Sequence, residues 1–346
     1  MERDVSVIYE AIHLLSQGKS LTRDQAEAVM DLIMEGQVTG AQFGAIMMGL
    51  HLKGETIDEI AGFASVMRRK ALRVNVKGDV VDTCGTGGDK ADTFNISTTA
   101  AFVIAAAGAK VAKHGNRAMS SRCGSADVLE ALGASIDLGP TAVERVIEDT
   151  GIGFMFAPLF HPAMKYAAGP RREMRVRTIF NILGPLTNPA GARRQVLGVA
   201  DSALASKMIE SLRELGSVHA LVVHGEDGLD EITLSGPSMV YELKDGKISR
   251  YEICPEQFGF RSSSTQSLRG GDRETNADIT RKVLTGTTGP ARDVVLINAA
   301  AGLVAADVAE NLKEGLEIAA RVIDEGAAME KLDAFIGATH RFAEEN

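Results

Sequence analysis

The Gly-rich segment DTCGTGGD, from Asp82 to Asp89, carries residue types that suit the binding of phosphate. It directly follows the apolar pair Val80-Val81, which predicts a buried strand. In open α/β sheets, ligands bind beyond the carboxyl ends of strands, where glycines let the backbone approach an anion and the next helix presents its N-terminus. We therefore predict a phosphate loop here, with an ordinary turn as the alternative.

A second segment, Lys113 to Arg122, concentrates cationic, amide and hydroxyl side chains just after another predicted strand. Lys and Arg bind phosphate through charge and hydrogen bonds, so the segment favours a second anionic group of the ligand. A solvated basic loop is the alternative. Ser125 is predicted to cap the helix that follows.

Two adjacent carboxylates, Asp230 and Glu231, follow a turn that contains Gly225 and Gly228. Such a pair can hold Mg²⁺ while water and substrate phosphates complete the shell of the ion. Acidic pairs are also common on solvated faces, so a charged surface turn is the alternative. The magnesium interpretation depends on the first two segments lying nearby.

Spacing and charge exclude several other classes of site. Lys90 is not set in the Gly-Lys-Ser/Thr pattern of a P-loop, and the third glycine of the dinucleotide fingerprint is missing. The histidines show no HExxH spacing, and Cys84, Cys123 and Cys254 form no CxxC pair, so neither a zinc site nor a thiol nucleophile is expected. With 46 acidic and 37 basic residues, the net charge of −9 makes nucleic acid a poor partner.

Composition also indicates the compartment. An odd number of scattered cysteines suggests a reducing environment, and the N-terminal pattern is not that of an export signal, so we expect a cytoplasmic protein. The longest apolar runs, 100–109 and 294–306, are shorter than the roughly 20 residues that span a bilayer, so no membrane contact is expected.

Residues 1–73 are predicted to form a small all-helical domain. Apolar residues recur there every three or four positions, and no polar cluster suggests catalysis, so packing or dimerisation is the expected role. The capping-box pattern marks three helix starts, at Thr22-x-x-Gln25, Thr39-x-x-Gln42 and Thr56-x-x-Glu59.

From Val74 the pattern changes to strands that alternate with helices, which is typical of an α/β domain with a mainly parallel central sheet. Strands are predicted at 80–81, 110–112, 135–138, 153–157, 196–200 and 220–223. Helices are predicted at 100–108, 126–132, after a capping box at Thr141 and Glu144, and at 293–306, 308–324 and 328–342.

Two further features lie late in the chain. Asp245-Gly246 separates two runs of strand-forming residues, so 239–243 and 248–253 are predicted to form a hairpin. Residues 256–274 are rich in Ser, Gly and Arg and lack periodicity, which predicts a long surface loop.

Taken together, these segments resemble the anthranilate phosphoribosyltransferase family over nearly the whole chain. The resemblance rests on five stretches that begin at Asp82, Thr93, Lys113, Gly169 and Val222, namely DTCGTGGD, TFNIST, KHGNRAMSSRCGSADVLEALG, GPRREMRVRTIFNILGPLTNP and VVHGEDGLDEI. One departure is Met174-Arg175, where the family more usually has Leu-Gly.

The resemblance implies a site in a cleft between two domains. The substrates would be 5-phosphoribosyl 1-diphosphate, here called the donor, and anthranilate. Ser97, Asp230 and Glu231 would bind Mg²⁺, with two ions per monomer, while Gly85, Asn116 and Arg171 would contact anthranilate. Lys113 and His114 would act as supporting groups in catalysis. The donor would be contacted by Gly85, Gly88, Asp89, Thr93, Asn95, Ile96, Ser97, Thr98, Lys113, His114, Gly115, Asn116, Arg117, Ala118, Met119, Ser120, Ser121 and Ser125.

The resemblance also implies the fold and the reaction. A homodimer would form through the helical domain, which comprises 1–73 and a later helical segment near 165–187, and 74–164 with 188–346 would form the α/β catalytic domain. The phosphoribosyl group would pass to the amine of anthranilate through an oxocarbenium-like state, in L-tryptophan biosynthesis. A pyrimidine-nucleoside phosphorylase of the same fold and a non-catalytic relative that binds nucleic acid are the alternatives.

Overall fold

The computed structural model describes residues 6–118 and 122–344. Three residues of the implied donor loop, Met119, Ser120 and Ser121, lie outside the described residues. The same holds for residues 1–5 of the predicted helical domain and for the last two residues of the chain.

A seven-stranded sheet forms the centre of the α/β part. Strands β1 to β5 pair in parallel, and β6 and β7 add an antiparallel hairpin at one edge, so the mainly parallel sheet and the hairpin are both confirmed. The strands lie in the order β3-β2-β1-β4-β5-β6-β7. Their bounds are β1 Val81–Gly85, β2 Val111–Gly115, β3 Ile152–Phe156, β4 Arg194–Gly198, β5 His219–Gly225, β6 Ser238–Lys244 and β7 Lys247–Ile253.

Four helices precede the sheet: α1 Ser6–Ser16, α2 Arg23–Met34, α3 Gly40–Lys53 and α4 Ile57–Lys70. All three predicted capping boxes are formed at the starts of α2, α3 and α4. The third box also stabilises the bundle from inside. Its Glu59 is fully buried, accepts a 2.8 Å hydrogen bond from the Leu21 amide and pairs with Lys53 Nζ at 2.8 Å.

The remaining helices flank the sheet or bridge it to the bundle. None of the helices in the described part of the chain is long and apolar enough to cross a membrane. Their bounds are α5 Ile96–Ala106, α6 Ser125–Leu132, α7 Pro140–Thr150, α8 Ala157–Phe160, α9 Lys165–Met174, α10 Phe180–Leu183, α11 Ser202–Glu214, α12 Arg273–Leu284, α13 Pro290–Ala305, α14 Leu312–Asp324 and α15 Ala327–Ala343.

Two apolar cores lie on opposite faces of the sheet. Because successive side chains of a strand point to opposite faces, Val196 of β4 belongs to the core with α5, α13 and α15, while Leu197 belongs to the core with α2, α4 and α11. The second core therefore continues from the bundle onto β4 and β5. The division into 1–73 with 165–187 and 74–164 with 188–346 stays a prediction, since α11 packs with both parts.

Two predicted helix caps are wrong. Gly124, not Ser125, is the N-cap of α6, and the Asp127 carboxylate accepts a 2.8 Å hydrogen bond from the Gly124 amide. Helix α7 begins at Pro140, ahead of the predicted box at Thr141. Proline suits the first helical position because its φ is already helical and it has no amide to satisfy there.

The strand predicted at 135–138 is also wrong, because these residues form a connection between α6 and α7 and pair with none of the strands in the described part of the chain. The predicted loop 256–274 contains two short 3₁₀ turns, Pro255–Phe258 and Thr265–Leu268, and ends at Asp272, which caps α12. Helix α12 was not predicted, because its sequence RETNADITRKVL is largely polar and carries a weak apolar pattern.

Candidate active site

The predicted phosphate loop lies at the point where the strand order reverses. β1 is flanked by β2 on one side and by β4 on the other, and ligands of open α/β sheets bind at the carboxyl ends of such strands. Gly85 ends β1 beside Gly198, which ends β4. A Cβ atom at Gly85 would overlap the Asp230 carboxylate, and one at Gly198 would overlap the Asp230 carbonyl oxygen. Glycine at both strand ends thus makes room for Asp230.

The two adjacent carboxylates connect the loop to the following helix. Asp230 Oδ2 accepts a 2.7 Å hydrogen bond from the Gly87 amide, and Glu231 Oε1 accepts a 3.1 Å hydrogen bond from the Ser97 amide in the first turn of α5. The first and third sequence segments, far apart along the chain, therefore meet. The surface-turn alternative is wrong for this pair.

The electrostatics of the pair favour a cation. Burial, and next the charge of Asp89, raises the pKa of Asp230 to about 7. Burial, and next the charge of Asp230, raises the pKa of Glu231 to about 8. A divalent ion would relieve this desolvation and repulsion, and oxygen ligands of this kind suit Mg²⁺. No three Asp, Glu, His or Cys side chains of the described residues form a metal cluster by themselves, so water or substrate oxygens would have to complete the shell.

Lys113 reaches the same site from β2. Its ammonium group donates a short hydrogen bond to the Thr83 carbonyl and lies 3.5 Å from Ser97 Oγ, although the residue is only 4% exposed. Beside it the ladder between β1 and β2 has an opening, since Val81 and Val111 are the one pair in register among the described residues of these strands. The contacts of Lys113 with Thr83 and Ser97 bring the second segment to the first.

Asp82 and Asn188 fill the opening. Asp82 Oδ1 accepts a 3.3 Å hydrogen bond from the His114 amide, and Asp82 Oδ2 accepts a 2.8 Å bond from Asn188 Nδ2. The same Asn188 amide group donates to the Ala112 carbonyl at 2.8 Å. Burial raises the pKa of Asp82, and the charge of Lys113 acts in the opposite direction. These side chains replace the missing ladder bonds and support Lys113.

His114 lies against a second histidine. The ring centroids of His114 and His161 are 5.0 Å apart, and neither Nε2 atom has a hydrogen-bond partner in the described part of the chain. Burial, and next the charge of His161, lowers the pKa of His114 to about 3, and burial lowers the pKa of His161 to about 4. Both rings are therefore neutral near pH 7.

The loop after β2 is held by hydrogen bonds to α6. The Arg117 guanidinium pairs with Glu130 and lies 3.4 Å from Asp127, so its charge is balanced by two carboxylates of α6. The Ala118 amide donates to Asp127 at 2.9 Å. Gly115 must be glycine because a Cβ there would overlap Ser125 Oγ.

The remaining residues of the implied donor set hold neighbouring segments together or lie at the Gly-rich loop. Asn95 uses both ends of its side chain, donating to the Cys123 carbonyl at 3.1 Å and accepting from Asn276 at 2.9 Å. Ile96 and Thr98 are buried. Asp89 accepts a 3.2 Å hydrogen bond from the Ala91 amide, and Thr93 forms an antiparallel bridge with Arg269. Gly88 lies against the guanidinium of Arg177.

Arg171 approaches from the helical side. It lies on α9, which packs against α2 and α3, and its guanidinium carbon is 5.0 Å from the centroid of the Phe180 ring. Burial lowers its pKa below the ordinary value. No hydrogen bond between described residues joins Arg171 to Gly85 or Asn116, so the implied anthranilate set is not assembled by direct contacts.

Sequence reasoning missed four residues that shape this site: Gly198, Asn188, Asn276 and Arg177. Asn188 and Arg177 lie in the stretch that begins at Gly169 and carries the resemblance, which could have drawn attention to them. Gly198 and Asn276 stand in ordinary strand and helix contexts, without a signal in the sequence.

The fold and the site define a class of enzyme that transfers glycosyl groups. Residues 77–329 match the α/β domain of a glycosyl transferase family, and residues 9–71 match its helical bundle domain. The anthranilate phosphoribosyltransferase of Dehalococcoides mccartyi (strain ATCC BAA-2266 / KCTC 15142 / 195) is 55% identical over 332 residues, which cover 95% of this chain and 97% of the relative.

Solved structures agree with this likeness. The anthranilate phosphoribosyltransferase from Thermus thermophilus is 42% identical with a TM-score of 0.91, covering 95% of this chain and 99% of that one. The enzyme from Saccharomyces cerevisiae in complex with PRPP and Mg is 25% identical with a TM-score of 0.89, covering 98% and 99%. The chain therefore belongs to the anthranilate phosphoribosyltransferase family.

The raised pKa values predict how Mg²⁺ stabilisation depends on pH. Between about pH 4 and pH 8 the folded protein holds more protons on Asp230 and Glu231 than the unfolded chain, so the metal-free stability falls as pH rises through this window. Mg²⁺ would bind the deprotonated pair, so the rise in Tm on adding Mg²⁺ should be larger at pH 8.5 than at pH 6.0. Differential scanning fluorimetry measures both.

The double variant Asp230→Asn/Glu231→Gln should lose this Mg²⁺-dependent rise. Asp278→Asn, an exposed carboxylate paired only with Lys282 on α12, is the matched control and should keep it. An equal rise in Tm at both pH values, or the same rise in the double variant, would contradict the metal role of the pair.

Proposed function

We propose that this protein transfers the phosphoribosyl group of 5-phosphoribosyl 1-diphosphate to the amine of anthranilate, which gives N-(5-phosphoribosyl)anthranilate and diphosphate in L-tryptophan biosynthesis. The observation that carries the proposal is the half-buried Asp230–Glu231 pair, which accepts from the Gly87 amide just after β1 and from the Ser97 amide in the first turn of α5. A member of this family with such a pair can bind a magnesium diphosphate beside a phosphate loop.

The donor would lie against two sets of hydrogen-bond donors. The amides of the Gly-rich loop, from Gly85 to Asp89, and the N-terminus of α5 would face the diphosphate. Lys113 and the loop from Gly115 to Ser125 would face the remaining anionic groups. The charge of Lys113 lies next to Ser97 at the metal pair, so it can serve the leaving group directly.

Ser97, Asp230 and Glu231 are the residues that would hold Mg²⁺. The donor set fits, because it offers two carboxylates and a hydroxyl, and no salt bridge among the described residues pairs either carboxylate with a basic side chain. Bound Mg²⁺ would neutralise negative charge on the diphosphate. The related S. cerevisiae structure contains PRPP and Mg, which supports the proposal. Two ions per monomer is our expectation.

Anthranilate would bind between the two sides of the cleft. Arg171 can pair with its carboxylate through the planar fork of the guanidinium, and Gly85 and Asn116 would contact the acceptor from the sheet side. The partial burial that lowers the pKa of Arg171 also strengthens its attraction for a carboxylate, since less water competes.

The reaction proceeds through an oxocarbenium-like state. The bond from C1 of the ribose to the diphosphate oxygen breaks, and the oxygen keeps the electron pair. The anthranilate nitrogen supplies the pair for the new C1–N bond and then loses a proton to water. Preorganised amides and Lys113 stabilise the leaving charge, which is the electrostatic contribution that usually dominates. An aromatic amine is already neutral at pH 7, so no strong base is required.

His114 orients the reactants in this scheme. Its pKa of about 3 makes it a weak proton acceptor at neutral pH. Its unpartnered Nε2 can instead hydrogen-bond a substrate, because a buried polar atom without a partner is costly unless a ligand satisfies it.

The central prediction is that purified protein with Mg²⁺ consumes anthranilate only when the donor is present. Loss of anthranilate fluorescence measures this reaction directly. Fluorescence that persists with donor and Mg²⁺ would sink the proposal. Phosphorolysis of uridine or thymidine under the same conditions would instead favour a pyrimidine-nucleoside phosphorylase.

Arg171→Ala should raise the KM for anthranilate roughly tenfold or more, because a charge-assisted pair with the carboxylate is lost. The KM for the donor should stay nearly unchanged. Arg172→Ala removes an exposed arginine from the same helix and serves as the control, with near wild-type constants. A rise in the donor KM alone would show that Arg171 is misplaced in our scheme.

We also propose that the protein is a homodimer through its helical part. Tyr9 on α1 and Leu52 on α3 are 66% and 79% exposed, and these helices pack side by side. Tyr9→Glu/Leu52→Glu should therefore shift the mass measured by light scattering from dimer to monomer. Leu72→Glu, at an exposed apolar residue after α4, should leave the dimer intact. A wild-type protein that is monomeric at micromolar concentration would refute the proposal.

A further inference from the structure

Arg177 joins the helical side of the cleft to the phosphate loop. It follows α9 by three residues, and its Nη2 donates a 3.3 Å hydrogen bond to the Gly87 carbonyl. A Cβ atom at Gly88 would lie 2.7 Å from the Arg177 guanidinium carbon. The guanidinium therefore rests directly on Gly88, and glycine is required there both for this contact and for a φ of +85°.

Three other cations near the site already have partners. Lys113 is buried and donates to the Thr83 carbonyl, and Arg117 pairs with Glu130 and Asp127. Arg171 packs on the Phe180 ring. Each of these three side chains therefore already has a partner within the protein.

Arg177 differs from these residues in exposure and in hydrogen bonding. Its side chain is exposed, and the Gly87 carbonyl is the one hydrogen-bond acceptor that it contacts among the described residues. A guanidinium carries five N–H donors, so most of them remain free for a ligand. A planar fork of this kind matches phosphate oxygens in a bidentate manner.

We propose that Arg177 is a donor-binding residue that contacts the diphosphate group and thereby holds the helical side of the cleft against the phosphate loop. In the free protein its guanidinium rests on Gly87 and Gly88. When the donor enters, the same group pairs with diphosphate oxygens above the loop. This inference rests on the proposed function, because that function supplies the diphosphate.

Position distinguishes this role from that of Arg171. Arg177 contacts the Gly-rich loop, which is hydrogen-bonded through Gly87 to the carboxylate of Asp230. Arg171 lies half-buried on α9 and makes no hydrogen bond to that loop among the described residues. We therefore assign the leaving group to Arg177 and the acceptor carboxylate to Arg171.

The test compares three variants in steady-state kinetics. Arg177→Gln should raise the KM for the donor roughly tenfold or more while the KM for anthranilate changes little. Arg177→Lys should recover part of the loss, because it keeps the charge but not the fork. Arg172→Gln removes one exposed charge from the same segment and should leave both constants near wild type.

Calorimetry with magnesium diphosphate provides a second measurement that does not depend on turnover. Arg177→Gln should bind this probe at least tenfold more weakly than wild type, with an unchanged Tm in the absence of ligand. Equal binding by the two proteins would overturn the proposal. So would a rise in the anthranilate KM alone, which would assign the guanidinium to the acceptor.

The two proposals can fail separately. A wild-type protein that leaves anthranilate unconsumed, yet binds magnesium diphosphate more tightly than Arg177→Gln does, would refute the proposed reaction and support the role of Arg177. Turnover of anthranilate with equal diphosphate binding in both proteins would do the reverse.

Discussion

The burial of two adjacent carboxylates at the carboxyl ends of parallel strands is the constraint on which the rest of the site depends. Asp230 and Glu231 carry pKa values of about 7 and 8 because partial burial removes water from their carboxylates and because they repel each other and Asp89. Hydrogen bonds from the Gly87 and Ser97 amides reduce the free-energy cost of burying these carboxylates. The Gly-rich loop and the start of α5 must therefore lie close to them. Glycine ends both β1 and β4 for the same reason, since a side chain there would occupy the space of Asp230.

A second consequence is the opening between β1 and β2. A regular parallel ladder would have paired the backbone groups of the two strands with each other. Asp82 and Asn188 instead pair with the His114 amide and the Ala112 carbonyl, and Lys113 donates to the Thr83 carbonyl beside the site. A buried polar network with its partners satisfied can hold such an irregularity rigidly, whereas an unpaired group would be costly.

Two unequal parts of the structure contribute to the site. The sheet supplies amides, carboxylates and Lys113, and the helical part supplies arginines on and after α9. Because the bundle shares its core with β4, β5 and α11, the two sides are joined by apolar packing as well as by the chain. Arg177 adds a polar link at the loop, placed where a ligand can replace the Gly87 carbonyl as its partner.

The sequence by itself determined many of the secondary-structure elements. Capping boxes, the Asp-Gly turn and the alternation of strands and helices could be predicted because they depend on interactions between residues close together in the chain. Those features were predicted correctly. The resemblance, and not a local pattern, implied one site for Ser97, Asp230 and Glu231, which the structure joins by the Glu231–Ser97 hydrogen bond. The failures had local causes as well: Pro140 begins α7 ahead of Thr141, and the largely polar sequence of α12 carries a weak apolar pattern. Only the folded chain decided that Gly198 must make room for Asp230, that Asn95 serves Asn276, and that Arg177 rests on Gly88. These depend on distances between segments that sequence spacing does not contain.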